Sequence, residues 1–250
     1  FTLPSGWSVS PSLLSYSTIQ KSSNSSVLTT LTIPRATSPG SYTITLRANW
    51  TNSDNGLGTN TSSITVTINS NPVLDVVETS VSFITQHGRF NSTNITLNST
   101  GNAAVNSISM NCTGSICSTF GIVFNPSSVS SLSAGSTQPV NISFTVPIGT
   151  DPATYTATIN ATNTTYFDNA SLSIETPVNR SWSPTPSSIS SSMGVNNALD
   201  VGTITINNTG NIHTNFILSL SGNGTSSTTL NASSVNVSKQ STGAVKVTYN

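Results

Sequence analysis

The residues best suited to chemistry in this sequence are asparagines in the acceptor pattern for N-linked glycans, Asn-x-Ser/Thr. The sequence contains sixteen of them: Asn24, Asn49, Asn60, Asn91, Asn94, Asn98, Asn111, Asn141, Asn160, Asn163, Asn169, Asn179, Asn207, Asn223, Asn231 and Asn236. The count is weak evidence by itself, because asparagine, serine and threonine are abundant throughout. Their phase is more informative, since four of them lie between inward apolar residues and should therefore face solvent: Asn49, Asn94, Asn141 and Asn160. We predict dense N-glycosylation, with glycans but no cofactor bound.

The two cysteines, Cys112 and Cys117, are separated by four residues that include a glycine. This spacing permits a short loop closed by a disulfide, which implies an oxidising compartment. The alternative is a pair of unbonded small side chains. A metal site needs more ligands, and no further cysteine or nearby histidine is available. We predict a Cys112–Cys117 disulfide that fastens a local corner and contributes about 2–3 kcal/mol.

Residues that could form a catalytic site are few and dispersed. The two histidines, His87 and His213, lie in separate predicted loops. The seven carboxylates are scattered along the chain: Asp54, Asp75, Glu78, Asp151, Asp168, Glu175 and Asp200. Catalysis requires a base that a second group orients, and no carboxylate clusters with a histidine in the sequence. We therefore predict no enzymatic activity and no metal site.

The three tryptophans, Trp7, Trp50 and Trp182, offer aromatic surfaces that a sugar could stack on. Packing in a core or an interface is the better interpretation, because tryptophan contributes a large apolar area wherever it is buried.

Composition excludes several classes of function. Only 6% of the residues are charged, against roughly 25% in typical soluble domains. A net charge of zero with seven basic residues provides no basic stripe for nucleic acid. No apolar run approaches the roughly 20 residues of a membrane-spanning helix. A signal peptide pattern is also missing, as it is from mature secreted chains.

Alternation of apolar and polar residues is the strongest structural signal. Residues 140–146 and 155–161 alternate strictly, and prolines bracket the turn between them. This period of two predicts a pair of strands with one buried and one solvated face. Residues 27–48 repeat the same design about 113 residues upstream. No helical periodicity is present, so the chain is predicted to repeat one β-sandwich without helices.

The repeat divides the chain into three units. Residues 72–177, the central unit, hold about seven predicted strands, which suits an immunoglobulin-like sandwich. Residues 1–71 form the first unit, and residues 178–250 form the third unit. The predicted fold class is therefore all-β, with tandem immunoglobulin-like β-sandwich domains.

Matching strand-ending motifs, NSTGN at 98–102 and NNTGN at 207–211, align the central and third units. Their glycines, Gly101 and Gly210, are expected to adopt positive φ where the strand ends. In this alignment the first unit lacks opening strands and the third unit lacks closing strands. Either the sequence is part of a longer chain, or neighbouring chains complete each other's sandwiches by donating strands. Both interpretations predict an elongated string of sandwiches with linkers near Pro72 and Pro177.

Three motifs carry a resemblance to a known family: the N-[ST]-T-G-N strand ending, G-W-x-V-x-P at 6–11, and L-T-I-P…P-G-x-Y-x-I at 31–44. Together they resemble the immunoglobulin-like repeats of archaeal S-layer and surface glycoproteins, across nearly the whole chain. They are also similar to cell-adhesion-related bacterial repeats and to sandwich modules of some glycosidases. The low charge departs from the family, many of whose members are acidic.

The resemblance implies a structural glycoprotein at the extracellular cell surface, without catalytic residues. It would belong to a filament or to an S-layer stalk or lattice. Its partners would be copies of itself or other surface-layer or filament subunits. The alternative is an accessory spacer of a secreted glycoside hydrolase or adhesin.

Overall fold

The computed structural model describes residues 1–192, 194 and 198–249. Strands hold 53% of the residues and helices only 3%. Each sheet is built from strands of a single unit. The predicted all-β class with immunoglobulin-like β-sandwich domains is confirmed, while the boundaries drawn between the units stay a prediction.

The first unit contains four strands: β1 (Ser8–Ser10), β2 (Thr30–Thr32), β3 (Gly40–Thr51) and β4 (Leu57–Ile68). β1 pairs with β2, and β3 forms a long antiparallel hairpin with β4. An isolated bridge between Thr2 and Thr45 ties the start of the unit to β3.

The central unit is a two-sheet sandwich. Its elements are β5 (Leu74–Val76), β6 (Ser80–Ile84), β7 (Phe90–Ser99), β8 (Val105–Thr113), α1 (Ile116–Thr119), β9 (Val123–Asn125), β10 (Ser128–Leu132), β11 (Thr137–Thr145), β12 (Ala153–Thr162) and β13 (Phe167–Thr176). One sheet has the order β10-β8-β12-β13-β6, and the other has the order β5-β7-β11-β9. β6 runs parallel to β13, whereas the other described pairs in these sheets are antiparallel.

The alternation seen in the sequence explains how the two sheets pack. Ile95 of β7 and Ile142 of β11 face Ile159 of β12 and Leu172 of β13 in one core cluster, and none of the four exposes any surface. The intervening polar residues point outward, as the period of a strand requires. Full burial of such side chains contributes about 1.5–3 kcal/mol each, which makes this core the main source of stability in the unit.

A tyrosine corner marks equivalent positions in the first and central units. The Tyr155 hydroxyl donates to the Asp151 carbonyl at 2.8 Å, just before β12. The Tyr42 hydroxyl donates to the Ser38 carbonyl at 2.7 Å, in the same place relative to β3. Immunoglobulin-like sandwiches use such a corner where the chain crosses between sheets into a central strand.

An aromatic contact accompanies each corner. The ring of Trp7 lies 5.0 Å from that of Tyr42, and the ring of Phe120 lies 5.1 Å from that of Tyr155. The strands β1, β2, β3 and β4 therefore correspond to β9, β11, β12 and β13 of the central unit.

The third unit contains β14 (Trp182–Thr185), β15 (Leu199–Asn208), β16 (Thr214–Ile217), the 3-10 helix η1 (Thr225–Ser227), β17 (Thr228–Leu230), β18 (Ser234–Val237) and β19 (Ser241–Tyr249). The sheet β14-β15-β19-β17 repeats the order of β5-β7-β11-β9, and β16 pairs with β18 as β8 pairs with β10. Among the described residues of this unit, β6, β12 and β13 have no counterpart. Ile206, Val237 and Val245 form its small core.

The predicted absence of helices was wrong in two short places. α1 follows Cys112 and spans one turn, and η1 precedes β17. Segments of three or four residues are too short to show a 3.6-residue period, which is why periodicity does not detect them.

Two further local predictions were wrong. Residues 27–29 form no strand, and Val27 is 48% exposed. Its counterpart Val140 is held in a strand by pairing with Ile95 of β7, and no described strand takes that place in the first unit. The Asn55-Gly56 dipeptide predicts a type I′ turn, which needs positive φ at both residues. Only Asn55 has positive φ, within a five-residue loop between Thr51 and Leu57.

Truncation of equivalent residues in β13 and β4 should have very different effects. Leu172 lies opposite Ala157 and is fully buried, whereas Ile64 lies opposite Ile44 and is 57% exposed. Leu172→Ala should lower the free energy of unfolding of the central unit by about 2–5 kcal/mol because it leaves a cavity. Ile64→Ala should change the stability of the first unit by less than about 0.5 kcal/mol.

Hydrogen exchange of the amides in β12 and β3 measures the two effects separately. Equal loss of protection in both variants would contradict the assigned packing.

Candidate functional site: unit junctions and outer sheet faces

Two carboxylates of the central unit bind backbone groups of neighbouring strands, whereas Asp151 and Asp200 pair with lysines. Asp168 Oδ2 on β13 accepts a hydrogen bond from the Val76 N–H of the opposite sheet at 2.7 Å. Glu78 accepts from the Thr96 N–H, also at 2.7 Å. The part of the chain described by the structure contains no cluster of three or more histidines, cysteines or carboxylates. These side chains therefore hold strands together.

His87 lies in the loop between β6 and β7 and is half-buried. Its Nδ1 accepts a hydrogen bond from the Gly149 N–H at 3.3 Å, whereas its buried Nε2 has no partner among the described residues. Burial lowers the pKa of His87 below its ordinary value of 6.5. The histidine therefore supports the turn between β11 and β12, while His213 is exposed in a separate loop.

The tryptophans lie in three different settings. Trp7 is buried against Tyr42 beside an open cavity of about 450 Å³, which leaves little of its ring for a ligand. Trp182 packs against Phe216 with ring centroids 5.3 Å apart. Trp50 covers Gly58, where a Cβ atom would lie 2.3 Å from the indole ring. Each ring thus packs against its own unit, and the three form no common surface.

The two cysteines lie at a corner beside the five-stranded sheet. Cys112 is near the end of β8 and Cys117 is in α1, and their sulfur atoms are 1.98 Å apart. Gly114 lies between them with φ of 135°, in the region that favours glycine. The bond ties α1 to β8 and so positions Phe120, which packs against the corner tyrosine.

The most specific arrangement of side chains lies where one unit joins the next. Asn102 ends the NSTGN motif and makes three hydrogen bonds to the preceding linker. Its N–H donates to the Asn71 carbonyl at 3.1 Å, and its Oδ1 accepts from the Asn71 N–H at 2.7 Å. Its Nδ2 donates to the Asn69 carbonyl at 3.0 Å.

The third unit repeats this arrangement atom for atom. The Asn211 N–H donates to the Asn179 carbonyl at 3.0 Å, and Asn211 Oδ1 accepts from the Asn179 N–H at 2.7 Å. Asn211 Nδ2 donates to the Pro177 carbonyl at 3.0 Å. We call each set of three bonds a linker clamp, formed by Asn102 on residues 69–71 and by Asn211 on residues 177–179.

The glycines of the two motifs have a different role from the one predicted. Neither Gly101 nor Gly210 has positive φ, so conformational freedom does not explain them. A Cβ on Gly101 would lie 2.0 Å from the Asn71 carbonyl oxygen, and one on Gly210 would lie 2.3 Å from that of Asn179. Glycine is therefore needed because the linker backbone passes too close for any side chain.

Further contacts join the central and third units. Asn211 Nδ2 also donates to the Thr150 carbonyl at 3.0 Å, and Lys239 pairs with Asp151 at 2.6 Å. Asn179 Nδ2 donates to Gln86 at 3.1 Å. The ion pair is exposed and contributes about 0–1 kcal/mol, so the buried Asn211 is the more important contact. Sequence reasoning missed this role, although the shared Gly-Asn pair of the two motifs was its signal.

The glycosylation motifs divide by exposure. Nine of the sixteen asparagines are exposed: Asn24, Asn49, Asn60, Asn94, Asn111, Asn169, Asn223, Asn231 and Asn236. Seven are half-buried: Asn91, Asn98, Asn141, Asn160, Asn163, Asn179 and Asn207. Among the described residues, no helix is long and apolar enough to span a membrane.

Comparison with known proteins gives no family. No protein-family model matches the sequence, and a search of curated proteins finds no match. Similar solved structures include a PapD-like domain of human CEP192 (17% identity, 41% of this chain and 84% of that one, TM-score 0.32). The CupB2 chaperone of Pseudomonas aeruginosa has 11% identity over 68% of this chain and 87% of its own, with a TM-score of 0.34. Cadherin domains 1–5 of protocadherin gamma B2 have 10% identity over 84% of this chain and 38% of theirs, with a TM-score of 0.39. At these scores the assignment of the fold rests on the strands and registers described above.

Removing one linker clamp should loosen the junction without unfolding either unit. Asn211→Ala removes bonds to residues 177, 179 and 150, each of which contributes about 0.5–1.5 kcal/mol. Exchange of the Asn179 amide should accelerate on the order of tenfold or more, and protease cleavage near 177–181 should increase. Asn215→Ala is the matched control because Asn215 is exposed on β16. An unchanged exchange rate at Asn179 would contradict the clamp.

Replacing both cysteines by serine should lower the stability of the corner by about 2 kcal/mol, because the unfolded loop is no longer closed. Peptide mapping without reduction should recover Cys112 linked to Cys117. Free thiols, or a bond to another chain, would exclude the pairing.

Stability should decrease as the pH falls through the range near 6.5. The folded state lowers the pKa of His87, so the unfolded state binds the proton more readily and is favoured as the pH falls. The melting temperature should therefore drop between about pH 7.5 and about pH 5, and His87→Gln should reduce the drop. His213→Gln serves as the exposed control. An equal drop in melting temperature in wild type and His87→Gln would refute the assignment of the pH dependence to His87.

Proposed function

We propose that this chain is a structural, non-catalytic part of an extracellular surface glycoprotein. Its tandem units would act as a spacer in a cell-surface filament or in an S-layer stalk or lattice of the archaeal type. N-linked glycans would cover the outer sheet faces, and no cofactor would be needed.

The observation that carries this proposal is the linker clamp at both junctions. A flexible tether needs no bonds between its linkers and its domains, and Gly/Ser-rich linkers usually serve that purpose. Here a buried or half-buried asparagine bonds each linker through both its backbone and its side chain. Repeating the same bonds at successive junctions would give each unit a set direction, as a rigid spacer requires.

Surface chemistry supports the extracellular part of the proposal. With 6% charged residues, solubility has to come from hydroxyls, amides and attached sugars. Nine exposed glycosylation motifs would provide attachment points for sugars that are bulky and solubilising. A disulfide between Cys112 and Cys117 would also suit an oxidising compartment.

The hairpin of β3 and β4 suggests where a partner subunit would bind. In the central unit the corresponding face of β12 and β13 is covered by the opposite sheet, and Leu172 is fully buried. On β4 the corresponding residue Ile64 is 57% exposed, and Trp50 is exposed on the same face of the hairpin. We propose that a further sandwich subunit, of the same or a related chain, covers this face.

Small-angle scattering of the full chain tests the spacer. Strands of about ten residues span roughly 33 Å, so three aligned units predict a length near 100 Å and a radius of gyration of about 30 Å. A compact protein of this length would have a radius of gyration of about 18 Å. The Asn102→Ala/Asn211→Ala double variant should broaden the distance distribution, whereas Asn215→Ala should not.

Two results would overturn the proposal. A radius of gyration near the compact value excludes a spacer. Native material whose mass does not change on glycan release excludes a surface glycoprotein of this kind. Images of the native assembly that show regularly spaced sandwiches would support a filament or a lattice.

A further inference from the structure

Strand register places glycosylation motifs directly beside one another in the central unit. Asn160 of β12 is opposite Asn111 of β8 on one side and opposite Asn169 of β13 on the other. These three asparagines form the first row, on the five-stranded sheet. Asn141 of β11 is opposite Asn94 of β7 and forms the second row with it, on the other sheet. All five belong to Asn-x-Ser/Thr motifs.

Neighbouring members of a row are too close to carry glycans together. Adjacent strands lie about 4.8 Å apart, and the Cβ atoms of directly opposite residues are separated by about 4.5–5.5 Å. A pyranose ring with its substituents is wider than this spacing. Asn111 and Asn169 are two strands apart, at about 9.6 Å, which leaves room for one sugar on each.

Hydrogen bonds distinguish the members of each row. Asn160 Nδ2 donates to Asn111 Oδ1 at 3.1 Å and to the Thr113 hydroxyl at 2.9 Å. The second row repeats this, because Asn141 Nδ2 donates to Asn94 Oδ1 at 3.0 Å.

Exposure agrees with the direction of these bonds. The donors Asn160 and Asn141 are half-buried, whereas Asn111, Asn94 and Asn169 are exposed. Within the described part of the chain, the Nδ2 atoms of these three exposed asparagines donate no hydrogen bond to protein.

The same nitrogen atom forms the bond to a glycan. Nδ2 attacks the anomeric carbon of a glycosyl phosphate or diphosphate donor, and a C–N bond forms. The C–O bond to the phosphate breaks, the phosphate leaves with the electron pair, and Nδ2 loses one proton. In the folded protein this atom of Asn160 or Asn141 is already bonded within its row. Transfer of glycans before folding would also leave at most one member of each neighbouring pair modified in the folded protein, because sugars on both members would prevent the strands from pairing.

We propose that each row is glycosylated selectively, with glycans on Asn94, Asn111 and Asn169 and none on Asn141 and Asn160. The two unmodified asparagines act as hydrogen-bond bridges between strands. This inference rests on the proposed function, because it requires the chain to be N-glycosylated at all.

Site-resolved mass spectrometry of the natively glycosylated full chain tests the proposal. Trypsin cannot separate the sites, because residues 90–179 contain no lysine or arginine. A protease of broader specificity, followed by electron-transfer fragmentation, assigns each glycan to its asparagine. We expect occupancy above about nine-tenths at Asn94, Asn111 and Asn169, and below about one-tenth at Asn141 and Asn160.

A substitution in the second row provides an independent test. Asn94→Ser removes the neighbouring glycan and the Asn94 Oδ1 acceptor, and it leaves Asn141 Nδ2 only its bond to the Thr93 carbonyl at 3.2 Å. Occupancy at Asn141 should therefore rise at least fivefold. Asn49→Ser is the matched control because Asn49 faces Thr59 across its hairpin and should not affect Asn141. Hydrogen exchange in β7 and β11 verifies that the variant is folded.

The outcomes separate this inference from the function on which it rests. Glycans found on both members of a neighbouring pair in one molecule would overturn the proposed selectivity within each row and leave the surface glycoprotein proposal intact. The same holds if Asn141 and Asn160 are modified in place of their exposed neighbours. Unmodified asparagines throughout would overturn both.

Discussion

The close contact between each linker and the Gly-Asn pair beside it is the constraint on which the arrangement of the units depends. Glycine lets a linker carbonyl approach to within 2.0–2.3 Å of where a Cβ atom would lie. Asparagine then satisfies the N–H and carbonyl groups of the linker, which would otherwise lose water without gaining a partner. A larger side chain at the glycine, or one without both a donor and an acceptor at the asparagine, cannot make this contact.

Scarcity of charge shapes how the rest of the structure is held together. Few ionic groups are available, and some of them bond to the backbone, as Asp168 does across the two sheets. Stability in the central unit comes instead from alternating burial, which fills the space between the sheets with Ile, Leu, Val and Phe side chains. The third unit uses the same alternation around a much smaller described core.

The outer sheet faces carry the consequences of that alternation. A polar residue on one strand necessarily lies beside polar residues on its neighbours, so asparagines meet asparagines across the sheet. We propose that an amide in such a row either bonds its neighbour or carries a sugar. Strand pairing and surface modification would then be coupled through the same nitrogen atoms.

Local patterns in the sequence were sufficient for much of the fold. Period-two alternation predicted β11 and β12, because the face that a strand residue occupies depends only on its position along that strand. The match between residues 27–48 and the central unit placed Tyr42 at the position of Tyr155, although the tyrosine corner that each of them forms was not predicted. The short helix α1 was missed because one turn is too brief to show a period.

The features on which the proposed function depends involve contacts between distant parts of the chain. Strand register determines which asparagines lie side by side, and Asn94 and Asn141 are 47 residues apart. The space around Gly101 is limited by a linker about 30 residues earlier in the chain. The motif by itself does not show this contact, and it suggested instead a positive φ, which Gly101 does not have. Residues 27–29 alternate as a strand should, yet no described neighbour pairs with them. The sequence by itself determined which residues face inward, and only the tertiary structure decided which residues meet, because pairing, register and close approach join segments that the sequence keeps apart.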